Sequence, residues 1–447
     1  MNHHTLMITI ASFFIQITTL NSTPHISHRL SCFSFSRKMQ PNPHRKKPRI
    51  LSLCTLAGRG GIEVSTLALH KQLLKEAYDP IILVGINTFA QQALYDQKIS
   101  HYASKAHSAL AYNDYKLYKN IWIKQIRELC KDLHIDIVQC NLPEDALLAR
   151  QATQGLSTKV ILMFHAPRLY ALECFKNLDA VLPVNIDIAH QLNGANQDLK
   201  LGITHIMHLL PFFDEEKCLY FKPSNISKKQ FFKKNFNITI DAKLPIICMI
   251  GNFYGPAQKP YSEFIFQKNQ ELLIRALHKL MYERKKRAHL FFIGDGPNRA
   301  WHENLVRELK LTNYAHFLGF QHDTCNILEH STMHILASRE ESFGIAHIEA
   351  ALHKKPSLGA EQTGAQYIII DGMTGFVFKN NDIDDLTNKL EFLIANPEQC
   401  KLMGNNAFNF ITESKHFKQA DMHFLTQAKF NRLSAFYKKI IKIGSKK

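Results

Sequence analysis

Between Ser338 and Ala350 the chain reads Ser-Arg-Glu-Glu-Ser-Phe-Gly-Ile-Ala-His-Ile-Glu-Ala, directly after the apolar run Met333–Ala337. A strand ending here leaves the turn at the carboxyl edge of a sheet. Gly344 permits close backbone approach, and a helix opening near Ile345 aims its free N–H groups and positive dipole end out of that turn. A diphosphate suits such a terminus. Glu341 stands just before the helix and Glu349 about one turn inside it, so one carboxylate can accept from sugar hydroxyls while the other takes both hydroxyls of a ribose. On spacing alone a plainer reading stays open, with Glu341 a helix-cap acid and Glu349 an ordinary surface residue.

Periodicity supplies the scaffold for these groups. Ile50–Leu56 reads as a buried strand, followed by a loop with Gly58, Gly60 and Gly61 and by helical apolar spacing from Ile62 to Glu76. Strand-like runs recur at Pro80–Val84, Ile135–Gln139, Lys159–Phe164 and Ala180–Pro183, with helical stretches between them. The rhythm breaks between Pro211 and Asn237. A second series begins at Leu244–Gly251 and continues through Leu290–Gly294, His316–Leu318, Met333–Ala337 and Ser357–Ala360. Such alternation predicts an α/β protein with mostly parallel sheets covered on both faces, one architecture used twice, and a cleft between the halves for a ligand. The expected divisions are a leader at 1–47, a first domain at 48–215, a linker at 216–240, a second domain at 241–415, and a C-terminal helix with basic tail at 416–447.

The stretch Glu341-x7-Glu349, with Ser-Phe-Gly inside it, resembles the E-x7-E motif of glycosyltransferase family 4, retaining enzymes of the GT-B fold. Other pieces agree in order. Phe292-Ile293-Gly294-Asp295-Gly296-Pro297 looks like the family's G-D-G-P turn, and Lys268–Ala276 resembles the helix whose leading Lys reaches the donor diphosphate. Gly364-Ala365 and Asp371-Gly372-x-Thr374-Gly375 match the turn and short strand after the E-x7-E helix, while Gly60-Gly61-Ile62-Glu63 is similar to the G-G-x-E loop. The resemblance covers roughly residues 49 to 415. It implies two Rossmann-like domains facing a central cleft, with the nucleotide sugar in the second. It gives Glu349 the ribose, Glu341 a hydroxyl of the donor sugar, and Lys268 the diphosphate, helped by the amides at Gly344 and Ile345. Phe343, Gly294 and Asn252 join the donor-binding set. Gly60 and Gly61 would let the first-domain loop approach the phosphates, and His165 matches a His facing donor or acceptor.

Two departures stand out. The family often has G-R-L after its first C-domain strand, whereas this chain reads Gly251-Asn252-Phe253, so Asn252 brings no charge, and a loop with Tyr254-Gly255-Pro256 and Lys259 precedes Lys268. Asn141 stands where many members carry a His. The sequence offers no obvious carboxylate nucleophile in the first domain, and the resemblance implies front-face attack, the leaving diphosphate helping to take the acceptor's proton. Asp382-Ile383-Asp384 opens a predicted helix and reads as a cap rather than a metal motif. The expectation is no cofactor and no metal. Two other readings remain, an isomerase acting on the nucleotide sugar itself and a non-catalytic nucleotide-sugar binder.

The 447 residues carry 55 Lys and Arg against 38 Asp and Glu, a net charge of +17, so phosphate in some form is an expected partner. Clusters at 45–49, 228–229, 233–234 and 284–287 are either solvated faces or an anion-binding surface. No nucleic-acid motif accompanies them, so nucleic acid is not an expected partner. A lipid-linked or glycan acceptor and an anionic membrane surface are the expected partners beside the donor, with Ile440-Ile441 and nearby lysines resting on the leaflet. Nine cysteines lie scattered with no C-x-x-C pair and no His/Cys cluster at ligand spacing, which argues against structural zinc and for a reducing compartment. The expected location is cytoplasmic, peripheral at the inner face of the membrane. The apolar run Thr5–Leu20 is short for a span, and residues 1–47 read as a disordered leader or a start misassigned upstream of Met39.

Overall fold

The computed structural model describes residues 33–35, 47–54, 61–76, 78–85, 101–104, 115–253, 268–413 and 424–444. They divide into two compact units, the first ending at Phe213 and taking back Lys429 onward, the second running from Asp214 to Ala428.

The first unit holds strands β1 (Phe33–Phe35), β2 (Arg49–Cys54), β3 (Asp79–Gly85), β4 (His101–Ser104), β5 (Ile137–Cys140), β6 (Lys159–Phe164) and β7 (Ala180–Pro183). Its helices are α1 (Gly61–Lys75), α2 (Tyr115–Asp132), α3 (Pro143–Ala152) and α4 (Ile186–Asp198). The sheet order is β1-β4-β3-β2-β5-β6-β7, every pair parallel except the edge strand β1. Successive residues of β2 and β6 feed opposite cores. Leu51 and Leu162 pack with Trp122, Ile126 and Ala149 of α2 and α3, while Ile50 and Ile161 pack with Leu69 and Leu73 of α1. This explains why the strands read as unbroken apolar runs rather than alternating ones.

The second unit holds β8 (Ile246–Ile250), β9 (His289–Ile293), β10 (Ala315–Phe317), β11 (Met333–Leu336), β12 (Ser357–Ala360) and β13 (Gly375–Phe378). With them go α5 (Glu215–Leu219), α6 (Lys228–Phe236), α7 (Gln270–Tyr282), α8 (Arg299–Glu308), α9 (Cys325–His330), α10 (Ile345–Leu352), α11 (Ile383–Ala395) and α12 (Pro397–Thr412). All pairs are parallel in the order β10-β9-β8-β11-β12-β13. Numbered from β8, this is 3-2-1-4-5-6, and numbered from β2 the first sheet repeats it. Each sheet thus has a switch point where the winding reverses, between β2 and β5 and between β8 and β11.

The structure differs from the sequence reading in three places. Residues 216–240 are no featureless linker, because α6 opens with a Ser227/Gln230 capping box and buries Phe231 and Phe232 against Ile246, Cys248 and Phe291. Phe232 stacks on Phe291 at 4.2 Å, burial that stabilises by about 1.5–3 kcal/mol per ring. An aromatic helix packed on a sheet face without a following strand hid the pattern.

The C-terminal helix α13 (Thr426–Gly444) is no appendage either. Phe430, Leu433, Tyr437 and Ile440 recur at helical spacing and are buried in the core beside Ile50, Leu69 and Ile161. Ile440 therefore faces protein, not lipid. Third, within the leader Phe33–Phe35 pairs antiparallel with β4, and Arg49 of the basic run is buried, donating from Nε to Asp79 at 2.6 Å and from Nη1 to the Leu133 carbonyl at 2.6 Å. Met39, Gly60 and Lys259 lie outside the described residues.

Candidate active site

Lys268 precedes α7 and Glu341 follows β11, and the fold brings these residues, 73 apart in sequence, to an Nζ–Oε2 contact of 2.5 Å. The contact sits at the switch point of the second sheet. The Lys268 stem passes Gly251, at the end of β8, where an added Cβ would lie 3.5 Å from Lys268 Cγ and 3.8 Å from Leu336. The pair is largely shielded, with side-chain exposures of 20% for Lys268 and 14% for Glu341. Burial pushes the Glu341 carboxyl up, but the Lys268 ammonium more than offsets this, so the group ends below its ordinary value and stays ionised. Ser338 Oγ donates a longer bond of 3.5 Å to the same oxygen.

The loop carrying Glu341 is fixed by close backbone packing. Gly364 N–H donates to the Glu341 carbonyl at 2.7 Å, and a Cβ on Gly364 would meet Phe343 Cα at 2.4 Å. Gly344 caps α10 in the left-handed region at φ +91°, where a Cβ would also meet the His347 ring at 2.8 Å. Ile345 then begins the helix, and Phe343 is buried against Phe424. His347 was missed in sequence reasoning. It lies fully buried beside Glu341, neither ring nitrogen has a hydrogen-bond partner among the described residues, and burial pushes its pKa down to about 4.

Glu349 faces other neighbours. The groups acting on it are Lys217 of α5, Cys325, His353 and Asp323, and burial pushes its carboxyl up to about 7. Two acids at one helix are thus shifted in opposite directions.

Gly294 serves backbone packing. Its φ is +146°, and a Cβ would sit 2.1 Å from the Gly251 carbonyl oxygen. That contact locks the ends of β8 and β9 together. Asn252 offers its carbonyl to Gln270 Nε2 at 2.8 Å, tying the same edge to α7. Asp382 is a cap, its Oδ1 accepting from the amides of Asp384 and Asp385 at 2.9 Å.

At the switch point of the first sheet, Asn141 ends β5 and His165 ends β6. Asn141 Nδ2 donates to the Leu53 carbonyl at 3.1 Å, which turns Oδ1 toward His165 Nε2 at 3.3 Å. Oδ1 only accepts, so Nε2 carries the proton and Nδ1 the lone pair. Burial pushes His165 down to about 4, so the ring is neutral near pH 7. Asn141 is the strut that orients this imidazole, a role its position alone did not reveal. Gly61 opens α1 with no atom of the described residues within 4 Å of an added Cβ, so no packing among them demands a glycine there. Glu63 and Asp145, both buried, act on the thiol of Cys54 at the end of β2. Glu63 is the acid of the Gly60-Gly61-Ile62-Glu63 stretch, whereas Asp145 is a first-unit carboxylate that the sequence reading did not single out.

Each unit is a doubly wound parallel sheet, and in fold the chain is of the GT-B class, built from two Rossmann-like domains. Solved structures agree: a glycosyltransferase from Rickettsia africae ESF-5 superposes with a TM-score of 0.70 at 21% identity over 89% of this chain and 99% of that one. Anabaena Alr3699/HepE, solved in complex with UDP-glucose, gives 0.66 at 17% identity over 87% and 99%.

The sequence narrows the class further. Residues 261–410, about a third of the chain, match the family described as Glycosyl transferases group 1. The N-acetyl-alpha-D-glucosaminyl L-malate synthase of Bacillus anthracis is 24% identical over 366 residues, 79% of this chain and 90% of that protein. Among the described residues no helix is long and apolar enough to cross a membrane.

Proposed function

We propose that this glycosyltransferase is a retaining enzyme that moves a sugar from a nucleotide-sugar donor to a glycan or lipid-linked acceptor in cell-envelope polysaccharide or lipopolysaccharide synthesis. The observation that carries the donor assignment is the Lys268–Glu341 contact at the switch point of the second sheet. A shielded ammonium beside a helix start is suited to a diphosphate, whose charge grows as the glycosidic bond breaks. In this reading the donor displaces Lys268 Nζ from Glu341. Lys268 and the amides at Gly344 and Ile345 then take the diphosphate, and Glu341, held ionised, accepts from a hydroxyl of the sugar. Glu349 accepts from the ribose.

Retention follows from front-face attack. The acceptor hydroxyl approaches on the side the diphosphate leaves, and its proton passes to a departing phosphate oxygen. Neutral His165 orients the reacting groups through hydrogen bonding without changing charge. No metal or cofactor enters the transfer. A covalent glycosyl-enzyme on Glu63 or Asp145, detected by mass spectrometry after mixing with donor, would replace this account by double displacement.

The test is a screen of nucleotide sugars, beginning with UDP-glucose, read by thermal shift and by donor hydrolysis. Hydrolysis that disappears in Glu341→Ala supports the reading. Binding without hydrolysis by the unmodified chain would favour a plain binder, and conversion of the donor to an isomer without acceptor would favour an isomerase.

A further inference from the structure

We propose that Cys218, Cys325 and His353 form a structural binding site for a zinc-class divalent cation, at the junction of α5, α9 and the end of α10. Their donor atoms all lie within 4.8 Å of one another, and the three residues are buried. The two sulfurs are 3.9 Å apart. Two thiolates bound tetrahedrally at about 2.3 Å from one zinc ion stand about 3.8 Å apart, so the pocket already has that spacing. A disulfide would instead need them at about 2.05 Å.

The imidazole supplies an independent sign. His353 is 7% exposed, and its Nε2 makes no hydrogen bond among the described residues, while Nδ1 lies 3.8 Å from the Glu329 carboxylate. A ligating histidine has this form, with one ring nitrogen held near a carboxylate and the other offered to the metal.

The surroundings hold the ligands in place beforehand. Cys325 N–H donates to Asp323 Oδ1 at 2.9 Å, and Asp323 in turn pairs with Lys217, the neighbour of Cys218, at 3.5 Å. Two sulfurs and an imidazole select a borderline-soft cation over magnesium or calcium. Binding converts both thiols to thiolates and releases their two protons to solvent, with water as the fourth ligand. Because α5 opens the second unit, the cation would fasten its first helix to α10. The site shares no ligand with the pair at Lys268 and Glu341. Although Cys325 and His353 act on Glu349, cobalt bands read the thiolates while donor hydrolysis reads that pair, so the two proposals fail separately.

The test uses the full chain, reduced, treated with chelator and then titrated with Co²⁺ and Zn²⁺. The expected result is a sulfur-to-cobalt charge-transfer band and tetrahedral d–d bands that saturate at one equivalent and are discharged by Zn²⁺. Cys218→Ser and Cys325→Ser should each weaken binding by at least about tenfold, and Cys400→Ser, altering a buried thiol elsewhere, should not. His353→Gln should shift the d–d bands and keep the charge-transfer band. The absence of a thiolate band from protein that is folded by circular dichroism would overturn the proposal. So would bands that survive both Cys218→Ser and Cys325→Ser, or a Cys218–Cys325 disulfide as the state of freshly isolated protein.

Discussion

Glu341 and Glu349 lie eight residues apart around one short helix, yet their surroundings drive them in opposite directions. Before the helix, Lys268 holds Glu341 below the ordinary carboxylate range. Inside it, burial raises Glu349 to about 7 against the weaker pull of Lys217. Two acids at a fixed spacing are therefore two different instruments. One is a permanent anion locked to a cation until a ligand competes. The other can gain or lose its proton near neutral pH.

Removing the locked member should cost the most. Glu341→Ala is expected to lower donor-hydrolysis kcat/KM by about 10²–10³-fold, the loss typical of one preorganised electrostatic contact. Glu341→Gln keeps the shape but strands the Lys268 ammonium, and chemical denaturation at pH 7 should show about 1–3 kcal/mol of lost stability. The sign with pH follows from the lowered carboxyl. The stabilisation is present above the unfolded carboxylate pKa and vanishes as pH falls through the folded one, so the two proteins should converge in acid.

Lys268→Met should reduce kcat about 10²-fold while leaving nucleoside affinity nearly intact, since it acts on the diphosphate alone. Glu349→Gln should instead weaken nucleotide binding about tenfold with little change in kcat, a split that uniform binding produces.

Titration separates the two acids further. With chelator present, nucleotide affinity of the unmodified chain should rise by about tenfold from pH 6 to pH 8, as Glu349 ionises through about 7 and becomes a full acceptor. In Glu349→Gln the titration should be flat. A flat profile for the unmodified chain would mean that the two carboxylates do not differ in this way. The mildest change is expected at Gly61→Ala, where the absence of any described atom near an added Cβ predicts a stability change within about 0.5 kcal/mol by thermal unfolding.

Much of the architecture was legible because both sheets are parallel and covered on both faces. Strands such as Lys159–Phe164, Ala180–Pro183 and Ser357–Ala360 are almost wholly buried, and their ends coincide with the runs in the sequence. The cap at Asp382 was equally plain, since its partners lie two and three residues away. Hidden features depend on contacts between distant parts of the chain. Periodicity could not show that α13 returns to the first sheet, nor that Phe231 and Phe232 anchor α6 on the second. Nor could it show the 2.5 Å approach of Lys268 to Glu341, although the motif order named both residues. The Cys218–Cys325 approach spans 107 residues and escapes any local spacing rule. Asn141 looked like the loss of a histidine, and only its bonds to Leu53 and His165 reveal a strut.

If the donor site is as proposed, a nucleotide-sugar diphosphate competes with Glu341 for Lys268. A crystal structure of the chain with UDP-glucose, or whichever donor gives the largest thermal shift, decides this. The diphosphate should lie against Lys268 Nζ and the amides of Gly344 and Ile345, with the Lys268–Glu341 contact lengthened beyond hydrogen-bonding distance. A donor bound elsewhere while that contact remains at 2.5 Å would contradict the proposal.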